Sequence, residues 1–433
     1  MVLIYGMPET DSRVPLLSGQ TLDCHAHWTW PGAAIGTCDG RNTMLMLCVG
    51  STILVPIDWA VELGMLNRMC IQVTRAAMTL TFLWYILRTG VRPTRYGFGL
   101  GLALSLIAIL IGLHAAASPT PRRELYDLAR TLYWVLGAIV VYRLSLTGEL
   151  SERIVARWIG TVMLFGSAFT IAYMLSPGVE VGQNASAYLV LWCMPTLLML
   201  RTTRHTACLM AVGAIAILLT VKRGAVVGLA ASGAAWGLAQ LHPGMPAKRF
   251  TRIVLVFAVV SLVGGIAAVY RWEELAKRFS DTSGSGRNVM YTVLIEHWWR
   301  ANTGHFVLGF GAGSVPENMG RLFASTRNIE AHSDWVKFIH DYGLVGLCCL
   351  LFLHLQFLHL IRRSQNVARP LLAALSMGYV IMFLVNIYSG ILYSPAALYL
   401  GVVLGVSSAR IHIAGIVQGF DDECYAGAPV DTR

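Results

Sequence analysis

Apolar residues in this sequence fall in long blocks separated by short polar connections, a pattern that predicts membrane-spanning helices. A span needs roughly 20 mainly apolar residues. Twelve stretches are candidates: 44–57, 70–87, 96–117, 125–142, 154–175, 185–200, 206–220, 224–241, 252–270, 343–361, 370–387 and 390–408. The first is short, and Asp127 and Arg130 interrupt the start of the fourth. The expected fold is all-α: a polytopic integral membrane protein of about 12 transmembrane helices with one large loop.

That loop is the interval Arg271 to Tyr342, 72 residues without an apolar run long enough to cross a bilayer. Long segments of this kind are uncommon and usually functional, so chemistry is expected there. The loop contains no cysteine, so helices and docking onto the bundle must hold it. The chain thus divides into an N-terminal tail (1–43), spans one to nine (44–270), the loop (271–342), spans ten to twelve (343–408) and a C-terminal tail (409–433).

Composition agrees with this pattern. Of 433 residues, 56% are hydrophobic and 13% charged, and the mean hydropathy is +0.60. Soluble domains carry about 25% charged residues, so an ordinary cytosolic enzyme, a disordered regulator and a secreted disulfide scaffold are excluded. The charge is uneven: 16 of the 72 loop residues are charged, or 22%, against 40 of the other 361, or 11%. Nine cysteines are present without a CxxC pair, so neither a zinc ribbon nor a redox motif is indicated.

A net charge of +10 raises the question of nucleic acid. Its placement answers otherwise. Even-numbered short connections hold 14 basic residues, among them Arg143, Arg153, Arg157, Arg362, Arg363 and Arg369, whereas the odd-numbered ones hold five. Cytoplasmic loops concentrate Lys and Arg. Both tails are therefore expected in the cytoplasm and the long loop on the periplasmic face, with no nucleic-acid partner.

Three positions at or above the outer surface can carry chemistry. Lys222-Arg223-Gly224-Ala225 puts two cations on the side the orientation rule disfavours, and a guanidinium suits phosphate bidentately. An interfacial snorkelling side chain is the plainer reading of such an Arg. Next, Ser283-Gly284-Ser285-Gly286-Arg287 delivers an Arg to the start of a helix containing Tyr291, Trp298 and Trp299. That is either an anion site at a helix N-terminus or an ordinary capping turn. Last, the amphipathic stretch from His332 through Asp334 and His340 runs into span ten. His332 is the candidate proton acceptor near neutral pH, against the plainer reading of a structural, hydrogen-bonded His. Asp334 either orients it or caps the helix, and His340, two turns on, can share its face.

Weaker signals surround these. The run Leu308-Gly-Phe-Gly-Ala-Gly-Ser314 lacks a GK[ST] ending and reads as a tight turn rather than a phosphate cradle. Trp298 and Trp299 are either a sugar-stacking platform or interfacial anchors. No HExxH, GxSxG or DxD motif occurs.

At these residues the sequence resembles the bacterial O-antigen ligase and O-antigen polymerase superfamily. The resemblance rests on the Arg223-Gly-Ala turn before a late span, one large loop between spans nine and ten, and LGFGAGS followed by AHSDWVKFIHDYGLVGL. The family often has Ser where Lys222 stands and Asn where Ser333 stands. The resemblance implies a C-type glycosyltransferase-like fold and metal-independent, inverting transfer from undecaprenyl-diphosphate-linked oligosaccharide, without a cofactor, at the periplasmic face of the inner membrane. It further implies that Arg223 and Arg287 hold the diphosphate and that His332 is the base. Lys222, Asp334, Trp298, Trp299 and His340 are then candidates for substrate binding. Membrane lipid is an expected partner, as are other polysaccharide assembly proteins such as a chain-length regulator.

The resulting expectation is a polymerase of lipid-linked repeat units building O-antigen, capsule or exopolysaccharide. The nearest rival is a ligase moving glycan from the same carrier to lipid A–core. A transporter or flippase is the rival of another class. It is disfavoured because no internal repeat is visible and Arg75, Asp127 and Arg130 are the evident intramembrane charges.

Overall fold

A computed structural model describes residues 14–15, 21–22, 38–62, 66–67, 69–89, 98–117, 122–175, 186–200, 204–220, 222–241, 287–315, 332–388, 390, 392, 394 and 396–426. Candidate span 252–270 and the Ser283–Gly286 turn lie outside them. Apart from a two-residue antiparallel pairing of Val14–Pro15 with Thr21–Leu22, the described elements are helices.

In chain order these are α1 (Cys38–Glu62), α2 (Met69–Thr89), α3 (Phe98–Ala117), α4 (Arg122–Leu146), α5 (Glu152–Leu175), α6 (Ser186–Met199) and α7 (Arg204–Leu219). Beyond them come α8 (Arg223–Gln240), α9 (Arg287–Trp299), α10 (Thr303–Leu308), α11 (Asp334–Ser364), α12 (Arg369–Tyr388) and α13 (Ala397–Ala426). Six are long and apolar enough to cross a membrane, and three shorter apolar helices accompany them. The protein is a polytopic, all-helical membrane protein.

The last helix starts later than its apolar run, at Ala397 rather than near 390. Ser394 accounts for the delay: its hydroxyl accepts from the Ala396 amide at 3.1 Å and its carbonyl from the Ala397 amide at 3.1 Å. Once formed, α13 packs closely on α4 through Gly401 and Gly405, one turn apart. A Cβ on Gly401 would lie 2.9 Å from the Trp134 carbonyl oxygen, and one on Gly405 2.7 Å from that of Ala138. Small residues at this spacing let two membrane helices approach backbone to backbone.

Side-chain contacts mark the two ends of the bundle. At one end Lys337 Nζ meets Asp127 Oδ2 at 3.0 Å, and Lys222 Nζ lies 4.8 Å from the Tyr188 ring centre. At the other, Arg410 pairs with Glu152 and donates to the Met199 carbonyl at 2.8 Å, while Tyr142 Oη meets His412 Nδ1 at 2.8 Å. Because successive helices reverse direction, the starts of α4, α6, α8 and α11 share the first end. Arg143, Arg153, Arg362, Arg363 and Arg369 belong to the second.

Candidate active site

The first end is where the chemistry-bearing residues gather. Helix α9 lies against the start of α11 through a small apolar cluster of Met290, Leu294, Val315 and Val336, with Tyr291 packed on it. Arg287 opens α9 one turn before Tyr291 and so shares its face. The Tyr291 hydroxyl lies 3.0 Å from the His332 carbonyl oxygen and 3.4 Å from that of Ile387 at the end of α12. One phenol therefore ties the Arg287 helix, the His332 segment and α12 together.

His332 is exposed, and among the described non-glycine residues it alone has a positive φ, 49°. A side chain held in the left-handed region costs free energy, and such positions cluster at functional sites. The neighbouring Ser333 enforces the conformation. It caps α11, accepting from the Val336 amide at 3.4 Å, and its hydroxyl donates to the Asn386 carbonyl at 3.0 Å. The capping role considered for Asp334 thus falls to Ser333.

Asp334, completely buried, accepts from the Leu392 amide at 3.2 Å. It also accepts from the Asn386 amide at 2.9 Å once that amide is oriented nitrogen-first. It anchors the α12–α13 connection beneath His332 rather than facing solvent.

The glycine run is a tight turn. Gly309, Gly311 and Gly313 have φ of 81°, 92° and 72°, which side chains tolerate poorly. The turn lies on a break in α11, where Gly343 is non-helical (φ 63°, ψ −153°). Next to this break the carbonyls of His340 and Asp341 accept from the Phe310 and Gly311 amides at 3.0 and 2.9 Å.

Beneath the turn lies a buried polar chain. Asp341 accepts from the Ser314 hydroxyl at 2.7 Å and from the Gly313 amide at 3.2 Å. Ser314 Oγ is 2.9 Å from His340 Nδ1, and His340 Nε2 is 3.2 Å from His297 Nδ1. With both imidazoles neutral, these contacts set the tautomers. A serine hydroxyl that donates to a carboxylate must accept from His340, so His340 carries its proton on Nδ1. Its bare Nε2 then accepts from His297 Nδ1–H, leaving His297 Nε2 as an acceptor. Burial first, then the neighbouring His340 and His305, push the His297 pKa below its usual value. On the other flank Lys337 Nζ lies 3.8 Å from Asp341 and bridges to Asp127, which Arg130 also meets at 3.7 Å.

The residues singled out from sequence are therefore distributed as follows. His332, Arg287 and Lys222 lie at one end of the bundle, where Arg223 begins α8; the Arg223 side chain is outside the described residues. His340 does not share an open face with His332, because it is buried between His297 and Ser314. Trp298 is buried too, stacked on Phe306 at 4.7 Å with its indole donating to the Phe306 carbonyl at 2.9 Å, whereas Trp299 is 68% exposed. The Ser314–His340–His297 chain and Lys337 were missed. Asp127, a charge inside an apolar helix, was the available signal that a buried cation must face it. Among the described residues no group of three His, Cys, Asp or Glu is placed to hold a metal ion.

Residues 208–351 match the family model described as O-antigen ligase. The matched segment begins in α7, ends within α11 and contains Arg223, Arg287 and His332. No curated protein matches the chain.

Proposed function

From the match of residues 208–351 to the family model described as O-antigen ligase, we propose that this multi-pass membrane protein polymerises undecaprenyl-diphosphate-linked oligosaccharide repeats into O-antigen, capsule or exopolysaccharide. The observation that carries this reading is His332. It is exposed, held at positive φ, and tied through Tyr291 to the helix that Arg287 opens.

In the proposed reaction the acceptor hydroxyl attacks the anomeric carbon of the donor sugar, and His332 takes the hydroxyl proton. The carbon–oxygen bond to the diphosphate breaks in the same displacement, so configuration inverts. Negative charge grows on the departing lipid diphosphate, and the guanidiniums of Arg287 and Arg223 offset it without a metal. Lys222, next to Arg223 in the chain, adds a cation at the same end of the bundle. Trp299 offers an exposed aromatic face to sugar. The buried Trp298, Asp334 and His340 act as positioning residues, keeping α9, His332 and His297 in place.

The inner membrane is the proposed location, with the His332 end on the periplasmic face, both termini cytoplasmic and a chain-length regulator as a candidate partner. Supporting this orientation, the arginine-rich turns lie at the opposite end of the bundle. A donor with an isoprenoid tail in the bilayer also presents its diphosphate at the height of the α11 start.

A ligase acting on lipid A–core is the second reading, favoured by the description of the matched family. Incubating purified protein with lipid-linked repeats separates the two. Longer carrier-linked chains are expected; transfer that requires lipid A–core would establish the ligase instead.

A further inference from the structure

Beyond the Arg287–His332 region, α9 and α10 enclose an open cleft of about 440 Å³ lined by Glu296, His297, Arg300, Asn302, His305 and Phe310 among others. We propose that this cleft is a sugar-binding subsite that seats the acceptor glycan; as an acceptor subsite it rests on the glycosyl-transfer reading above.

The chemistry of the lining carries the proposal. Phe310 is the centre of an aromatic stack, with His297 at 4.5 Å and His305 at 4.7 Å, both within 18° of parallel. A pyranose ring has an apolar C–H face that lies flat on such a surface and a rim of hydroxyls that needs planar donors and acceptors. That polar rim is present: Glu296, Arg300 and Asn302 are exposed around the stack. Arg300, just past the end of α9, pairs with Glu296 one turn before it, so the rim carries no uncompensated cation. Balanced charge favours a neutral sugar over a phosphate, which would call for surplus positive charge.

The buried chain contributes directionality. Ser314 and His340 fix the His297 tautomer, which leaves Nε2 without a hydrogen as an acceptor for a sugar hydroxyl. The volume falls within the range of small-ligand sites.

Position agrees with chemistry. Tyr291, which touches the His332 carbonyl, precedes His297 by six residues on the same helix, a rise of about 9 Å. A glycan held in the cleft can therefore extend along α9 until its terminal hydroxyl reaches His332.

The test measures equilibrium binding of the carrier-free repeat oligosaccharide, released from the producing cell's own surface polysaccharide, to the full-length protein in nanodiscs. Phe310→Leu and Arg300→Ala are each expected to weaken binding about tenfold. Both are expected to raise the acceptor KM with little change in kcat. His332→Ala is expected to bind the oligosaccharide like the parent while losing transfer. Arg300 is exposed, so its variant reports on the cleft even where Phe310→Leu fails to fold.

Absence of binding to the parent protein, or unchanged binding in Arg300→Ala and in folded Phe310→Leu, overturns the subsite. Displacement of the oligosaccharide by inorganic phosphate would mark an anion site and overturn it as well. Transfer that survives in His332→Ala, with binding lost in Arg300→Ala, supports the subsite while contradicting the proposed base.

Discussion

Gly309 and Gly343 meet backbone to backbone. A Cβ on Gly309 would lie 2.4 Å from the Asp341 carbonyl and the Tyr342 amide, and one on Gly343 2.5 Å from the Gly309 nitrogen and the Val307 carbonyl oxygen. Both residues also have positive φ. The glycine turn and the break in α11 are thus one joint, and the joint sets the height of Ser314, His340 and Asp341 below the candidate site.

Gly309→Ala and Gly343→Ala should each destabilise the protein by more than the roughly 1–2 kcal/mol that left-handed backbone alone costs an L-residue, because each added methyl also meets main chain. Thermal unfolding in detergent measures this. Gly101→Ala, where a Cβ would meet nothing within 4 Å, is the control and should be neutral or slightly stabilising.

Lys337→Met should cost about 3–5 kcal/mol, the usual loss when one partner of a buried ion pair is removed. It leaves Asp127 and Asp341 buried without the ammonium between them. Adding Asp127→Leu should restore part of the loss, since one stranded carboxylate is then gone. A double-mutant cycle in thermal unfolding reads the coupling.

Acid should weaken the loop domain through His297. Its folded pKa lies below the ordinary value of 6.5, so the folded protein binds fewer protons than the unfolded chain as pH drops. The stability contributed by neutral His297 is fully present above pH 6.5 and is lost as pH falls toward the depressed folded value. His297→Gln should flatten this part of the stability–pH curve; an unchanged slope would show that other groups carry it.

Gly405→Val should drive α13 away from α4 by its 2.7 Å clash with the Ala138 carbonyl and cost about 1–3 kcal/mol, as overpacking usually does. Gly112→Ala, which has open space around its Cβ position, should not. Thermal unfolding of the two variants side by side separates close packing from a general intolerance of side chains at glycine.

Helices that are apolar along their whole length were the easiest to read from sequence. The runs 70–87 and 154–175 became Met69–Thr89 and Glu152–Leu175, because twenty apolar residues have few other solutions. The start of α13 was not legible, since it depends on a local cap at Ser394 and on Asp334 holding Leu392 from another helix. The site was read unevenly for the same reason. His332 and Arg287 stand out as polar residues beside a membrane. The roles of His340, Ser314 and His297 depend on contacts across 26 and 43 positions of chain that no spacing rule encodes. The glycine run did signal a tight turn, but only the fold shows that Gly343 is its counterpart.

The most direct measurement of the central claim is chain growth on lipid-linked repeats by purified parent protein and His332→Ala, with folding of both verified by thermal unfolding. A ladder of lengthening carrier-linked glycans from the parent, and none from an equally stable His332→Ala, is the predicted result. Near-normal ladders from His332→Ala would contradict it.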